Sequence, residues 1–168
     1  MVSHGAGGRV ATLETTALTT IPGIGTGVAY AAGDAVGTKF EITVPVKGVI
    51  LALIFNDKDD EGIQMILVLF DADFTAAVDN AAWDVSDADM DKCVGYINLI
   101  GATGTAGTAN VNYLDFGPSR IGQVVPPFLQ LPYTAPLGKL YGQWLTASTP
   151  NIAAGSIPTF RMVIEVRE

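Results

Sequence analysis

Between Lys39 and Phe70 the hydrophobic pattern of the chain changes once, from alternation to saturation. Phe40, Ile42, Val44 and Val46 alternate with Lys39, Glu41, Thr43 and Lys47, the period of two of a strand with one wet and one buried face. After Gly48, residues 49–55 (VILALIF) are apolar at every position, and residues 63–70 (IQMILVLF) at all but one. Such runs fall far short of the roughly 20 apolar residues of a membrane helix. They suit strands buried between two layers. The polar stretch 56–62 (NDKDDEG) reads as a turn, so the two runs are expected to form a long antiparallel hairpin. Pro45 lies on the wet side of the alternation and predicts an edge position or a bulge, because proline brings no N–H to a strand ladder.

Strands buried on both faces need a second layer, and the rest of the chain supplies it as more strands. Residues 9–21 (RVATLETTALTTI) are rich in Thr and β-branched side chains. They predict an extended arm, too weakly apolar to anchor a core and suited to strand addition onto a neighbouring subunit. A breaker (PGIGTG, residues 22–27), a short strand at 28–32 and a turn at Gly33-Asp34 follow. Further strands are expected at 94–100, 110–116 and 137–147, with a kinked extended segment around Pro126-Pro127. In the closing strand Phe160, Met162, Ile164 and Val166 alternate with Arg161, Glu165 and Arg167. Eight to ten short strands and no long amphipathic helix predict an all-β fold, an antiparallel β-sandwich of jelly-roll-like connectivity. The 168 residues suffice for one core. The expected organisation is a flexible or extended N-terminal arm over residues 1–25 and a single β-sandwich domain over 26–168.

Charge narrows the partners. Only 15% of the residues are charged, against about 25% in an ordinary soluble domain. Part of the surface is therefore expected to be covered by other copies of the chain. The net charge of -8 and the scattered Lys and Arg oppose binding to a phosphate backbone; no nucleic-acid and no membrane partner is expected. The opening MVSHGAGGRV lacks the apolar stretch of a signal peptide, so synthesis in the cytoplasm is expected. Cys93 is the single cysteine, which rules out an internal disulfide and reads as a small buried hydrophobe. His4, the single histidine, stands in that Gly-rich opening with no catalytic or metal-binding partner beside it.

The acid is concentrated. Eleven of the seventeen Asp and Glu lie between Asp57 and Asp91. Asp84, Asp87, Asp89 and Asp91 are the candidate calcium ligands, since Ca²⁺ takes six to eight oxygens. Asp87, Asp89 and Asp91 match the first three ligand positions of an EF-hand loop, but Lys92 stands where glycine is needed and Asn98 where glutamate is needed. The alternative is that these acids solvate loop ends and cap a short helix starting near Asp87, with Ser86 as its N-cap and Asp89 three residues on. Trp83 is expected to plug the end of the core. Asp71 and Asp73 form the type of carboxylate pair that glycosidases use, the basis of a remote enzymatic alternative. The chain carries no Gly-x-Ser-x-Gly and no phosphate-binding loop. No catalytic or cofactor-binding residue is assigned and no cofactor is expected. Trp83, Trp144, Tyr96, Tyr113, Tyr133 and Tyr141 are the candidates for a glycan-binding platform, with core packing as the alternative.

Three stretches recur together in a known kind of protein. These are Ala29-Tyr30 with Gly33-Asp34-Ala35-Val36-Gly37, then residues 67–70 (LVLF), then Asp79-Asn80-Ala81-Ala82 with Ser86-Asp87-Ala88-Asp89. In this order the chain resembles, over about residues 29–95, small structural proteins encoded near the capsid genes of tailed bacteriophages. The resemblance implies a virion protein, a head decoration or cement protein seated on the outer surface of the capsid, β-rich and homotrimeric, with the major capsid protein as partner. A head fibre or receptor- and glycan-binding module is the alternative it leaves open. It carries over no functional residues. The arm (residues 1–22) and residues 101–110 are the candidate contact segments.

Overall fold

The computed structural model describes residues 12–58, 64–99, 111–115 and 130–167, the third stretch as backbone only. Among the described residues the elements are β1 (Thr12–Thr15), β2 (Thr19–Thr20), β3 (Ala35–Thr43), β4 (Lys47–Asp57), β5 (Met65–Phe70), α1 (Asp87–Met90), β6 (Cys93–Asn98), β7 (Val111–Asp115), β8 (Leu131–Thr134), β9 (Lys139–Thr146) and β10 (Thr159–Val166). The pairings between them are antiparallel. One sheet runs β1-β10-β4-β7, with β2 also on β10 and β8 also on β4. The other runs β3-β9-β5-β6. With β1 and β2 sharing one edge of β10, and β7 and β8 one edge of β4, eight strand positions result, and the chain crosses between sheets at nearly every step. That is the jelly-roll connectivity, and it matches the sandwich expected from the strand pattern.

The core fills the space between the sheets. Trp144 is fully buried, with the rings of Phe55 and Phe160 each 5.1 Å away, and Phe40 lies 4.9 Å from Phe160. Alternate residues of β5, Met65, Leu67 and Leu69, join this core. Val68 and Phe70 point the other way into a second apolar cluster with Phe74, flanked by Ile66, Trp83, Val85, Tyr141 and Leu145. The saturated pattern of residues 65–70 thus has a direct cause: both faces of β5 are covered.

Several expectations need correction. The runs at 49–55 and 63–70 do not form a hairpin. β4 pairs with β10, β7 and β8, whereas β5 pairs with β9 and β6 in the opposite sheet. Saturated apolarity marks a strand as covered on both faces but says nothing of its neighbours. Pro45 is not within a strand; β3 ends at Thr43, and Pro45 lies in the connection to β4. Trp83 does not plug the core, a position Trp144 takes; it is half-buried in the second cluster. Strands β1 and β2 pair with β10 of their own chain, and Ile21 just beyond them is 1% exposed in the core. The segment therefore does anchor, through one residue. His4, the first eleven residues and the candidate contact loop 101–110 lie outside the described residues.

Candidate functional site

The acidic segment from Asp71 to Asp91 lies across the outer face of the β3-β9-β5-β6 sheet and is tied down at four places. Gln143 on β9 is fully buried in a strand otherwise mostly apolar. Its Nε2 donates to the carbonyls of Ala77 (2.7 Å) and Gly37 (3.1 Å), and its Oε1 accepts from the Ala77 N–H (3.0 Å). One side-chain amide thus satisfies both main-chain groups of Ala77. This matters because the loop backbone here faces a sheet and not water.

The second tie is Asp79. Its Oδ1 accepts from the Gly37 N–H (2.6 Å) and the Tyr30 hydroxyl (2.8 Å), and its Oδ2 from the Gly25 N–H (2.9 Å). The pairing of β3 with β9 shifts register between Val36 and Phe40. At this irregularity Gly37 has φ +71, and a Cβ on it would strike the carbonyl of Pro22. Glycine is thus needed to bring the N–H to Asp79 and the carbonyl to Gln143. Burial and the Asp79 carboxylate hold the Tyr30 hydroxyl far above its ordinary pKa.

Third, residues 79–83 lace onto residues 33–35. The Ala35 N–H donates to Ala81 (2.8 Å), the Asn80 N–H to Ala35 (2.9 Å) and the Trp83 N–H to Gly33 (2.9 Å). The fourth tie is α1. Ser86 caps it by accepting from the Asp89 N–H at 3.2 Å, as the sequence predicts. Asp89 turns inward, accepting from the Thr75 N–H (3.0 Å) and from Lys92 Nζ (2.6 Å). The Lys92 ammonium, then the Thr75 N–H, hold its carboxyl below the usual range.

The same arrangement fixes where the candidate side chains lie. Asp84, Asp87 and Asp91 are exposed, and Asp89 is committed to Lys92. Among the described residues no three His, Cys, Asp or Glu side chains gather as ligands for a metal ion. Asp73 pairs with Lys39, whose ammonium holds the carboxyl low; a glycosidase acid needs a raised pKa. Asp71 donates its main-chain N–H to Lys92 at 3.1 Å and is half-buried. An open cleft of about 740 Å³ lies along the segment, lined by Thr38, Lys39, Asp73, Thr75, Val78 and Lys92 among others. Both lysines are already engaged, Lys39 with Asp73 and the Phe74 carbonyl, Lys92 with Asp89 and the Asp73 carbonyl. Burial pushes the half-buried Cys93 thiol up, away from the thiolate form a nucleophile needs.

The aromatic candidates disperse. Trp144 and Tyr133 belong to the main core, Tyr141 and Trp83 to the second cluster, and Tyr96 is 66% exposed on β6. Of Tyr113 only the backbone position on β7 is described. Among the described residues no helix is long and apolar enough to cross a membrane.

Comparison with protein-family models and with curated proteins finds no match for this chain. The residues that organise the segment, Tyr30, Asp79 and Gln143, share no local pattern in the sequence, although Tyr30 and Asp79 stand in the stretches that carry the resemblance. Gln143 left one readable signal, a lone amide within an apolar strand. Asp79 was hidden among ten other acids in the same stretch.

Proposed function

We propose that this chain is a bacteriophage virion structural protein, a decoration or cement protein that binds major capsid subunits on the outer surface of the head and associates with itself as a homotrimer. The observation that carries the reading is the convergence of its ordered sequence stretches. Tyr30 and Gly37 of the first stretch bind Asp79 of the third, and Gly33 and Ala35 bind the backbone of Ala81 and Trp83. The middle stretch, residues 67–70, lies in β5 under the same segment and carries Val68 and Phe70 of the second cluster. Motifs that recur in fixed order and meet in space form a structural unit, and in this unit Asp79 and Asp89 are committed to holding the segment in place.

The rest of the chain fits a role without chemistry. Jelly rolls recur in virus shells, although a fold alone does not assign a function. The acid excess opposes a seat against packaged DNA and suits the outer face. Cementing operates by linkage, since a protein that binds only the assembled shell stabilises that shell. The test uses shells of the phage that encodes the chain, assembled without it. Purified protein is expected to co-sediment with them and to raise their melting temperature. Protein that stays in the supernatant at micromolar concentration would overturn the reading.

A further inference from the structure

Among the strands whose side-chain exposure is described in full, β1 is attached unlike the others. All four residues of β1 are exposed, Leu13 to 59%. Side chains on both of its faces stand in solvent, so β1 overhangs the opposite sheet and is held through its main-chain ladder to β10. Its register is Thr12 to Val166, Leu13 to Glu165, Glu14 to Ile164 and Thr15 to Val163. Thr16 closes the ladder, donating its N–H to Met162 (2.9 Å) and accepting from the Met162 N–H through Oγ1 (2.9 Å). Beyond it Ala17 and Leu18 are exposed, Leu18 to 66%. The chain is then fixed by Ile21, which is buried in the core and donates its N–H to Pro158 at 3.3 Å.

From this attachment we infer that β1 is an exchangeable strand that crosses to β10 of a second copy of this chain in the same antiparallel register. Opening costs main-chain hydrogen bonds and uncovers no packed side chain of β1, which places it at the low-stability end of the structure. The trans ladder restores each of those bonds, because the strand and its acceptor edge are the ones already matched in one chain. Ala17 and Leu18 serve as the hinge, and Ile21 keeps each core intact during the exchange. A vacated β10 edge otherwise presents unpaired main-chain groups, and a second copy of β1 satisfies them. The inference concerns β1 and β10 alone and stands or falls apart from the virion reading.

The test uses two full-length chains, one carrying Leu13→Cys and the other Glu165→Cys, both with Cys93→Ala. The chains are mixed at high concentration and oxidised. If Cys93→Ala prevents folding, Cys93 is retained and the linked peptides carrying positions 13 and 165 are identified by mass spectrometry. Exchange produces a disulfide-linked heterodimer whose yield rises with concentration. The off-register mixture of Leu13→Cys with Arg161→Cys should give at least about tenfold less, because a four-residue offset separates the cysteines by about 13 Å. Equal yields from the two mixtures, or no heterodimer while one chain bearing both Leu13→Cys and Glu165→Cys closes internally, would overturn the inference.

Discussion

Replacing Asp79 with alanine should be the most damaging single change to the acidic segment. The carboxylate accepts three hydrogen bonds, from Gly25, Tyr30 and Gly37. Not all are lost equally. The Tyr30 hydroxyl accepts from the Gly25 N–H at 3.0 Å, and its one proton can turn to the Gly25 carbonyl 3.2 Å away once Asp79 is gone, so these two groups keep each other. Among the described residues the Gly37 N–H has no such second partner, and Gly37 is buried; leaving a buried donor unpaired costs about 1–3 kcal/mol. Loss of the charged bond to Tyr30 adds about 1.5–3 kcal/mol, partly offset because a carboxylate no longer needs to be desolvated. The net expectation for Asp79→Ala is a loss of about 3–4 kcal/mol, which lowers the melting temperature by roughly 10 °C in a chain of this size. Asp79→Asn retains an acceptor and should lose about half as much. Chemical unfolding followed by tryptophan fluorescence measures it, with Trp144 in the core and Trp83 in the second cluster as reporters. In a double-mutant cycle with Tyr30→Phe the two changes should be clearly less than additive. An Asp79→Ala chain within about 1 kcal/mol of the parent, or full additivity with Tyr30→Phe, would refute the assignment of Asp79 as the tie.

Gln143→Ala should cost about 2–4 kcal/mol, because it strands both main-chain groups of Ala77 and leaves a hole beneath the loop; hydrogen exchange at Ala77 and Gly37 should accelerate more than exchange in β4. Tyr133 is pushed up to about 12 by burial, with Glu14 adding to it, and Tyr30 lies higher still. Both folded pKa values are raised, so their contribution is fully present below pH 10 and is lost as pH rises from about 10 towards 12. Melting temperatures across that range should fall less steeply in the Tyr30→Phe, Tyr133→Phe chain. Asp73 and Asp89 are held low by Lys39 and Lys92, so their contribution is present above the ordinary aspartate range and is lost as pH falls below about 4. A chain with Lys39→Ala and Lys92→Ala should show a shallower acid limb in a pH titration of stability.

What the sequence disclosed and what it concealed divide along a physical line. Strand existence was legible because period two and saturated runs are local properties, as in Phe160–Ile164 and residues 65–70. The N-cap at Ser86 was legible for the same reason, since a cap and its partner lie three residues apart. Strand partnership was not, because β4 and β10 meet only when the whole sandwich closes, and nothing near residue 50 names residue 164. The site was hidden by the same distance. Asp79 and its donors at Gly25, Tyr30 and Gly37 are separated by 54, 49 and 42 residues, and an acid that ties a loop has the same local appearance as one that binds calcium.

The place of β10 sets a schedule for synthesis. It is the last of the described strands in the chain, yet it lies inside its sheet between β1 and β4. About a hundred residues separate β4 from β10, a delay of roughly 5–20 s at ordinary rates of translation. For that interval the most apolar strand of the sheet has an unfilled edge, and both β1 and β2 wait without an acceptor. The sheet therefore cannot close until Thr159–Val166 has been made and has left the ribosome. Each nascent chain spends that time beside others on the same message, all with the same edge unfilled.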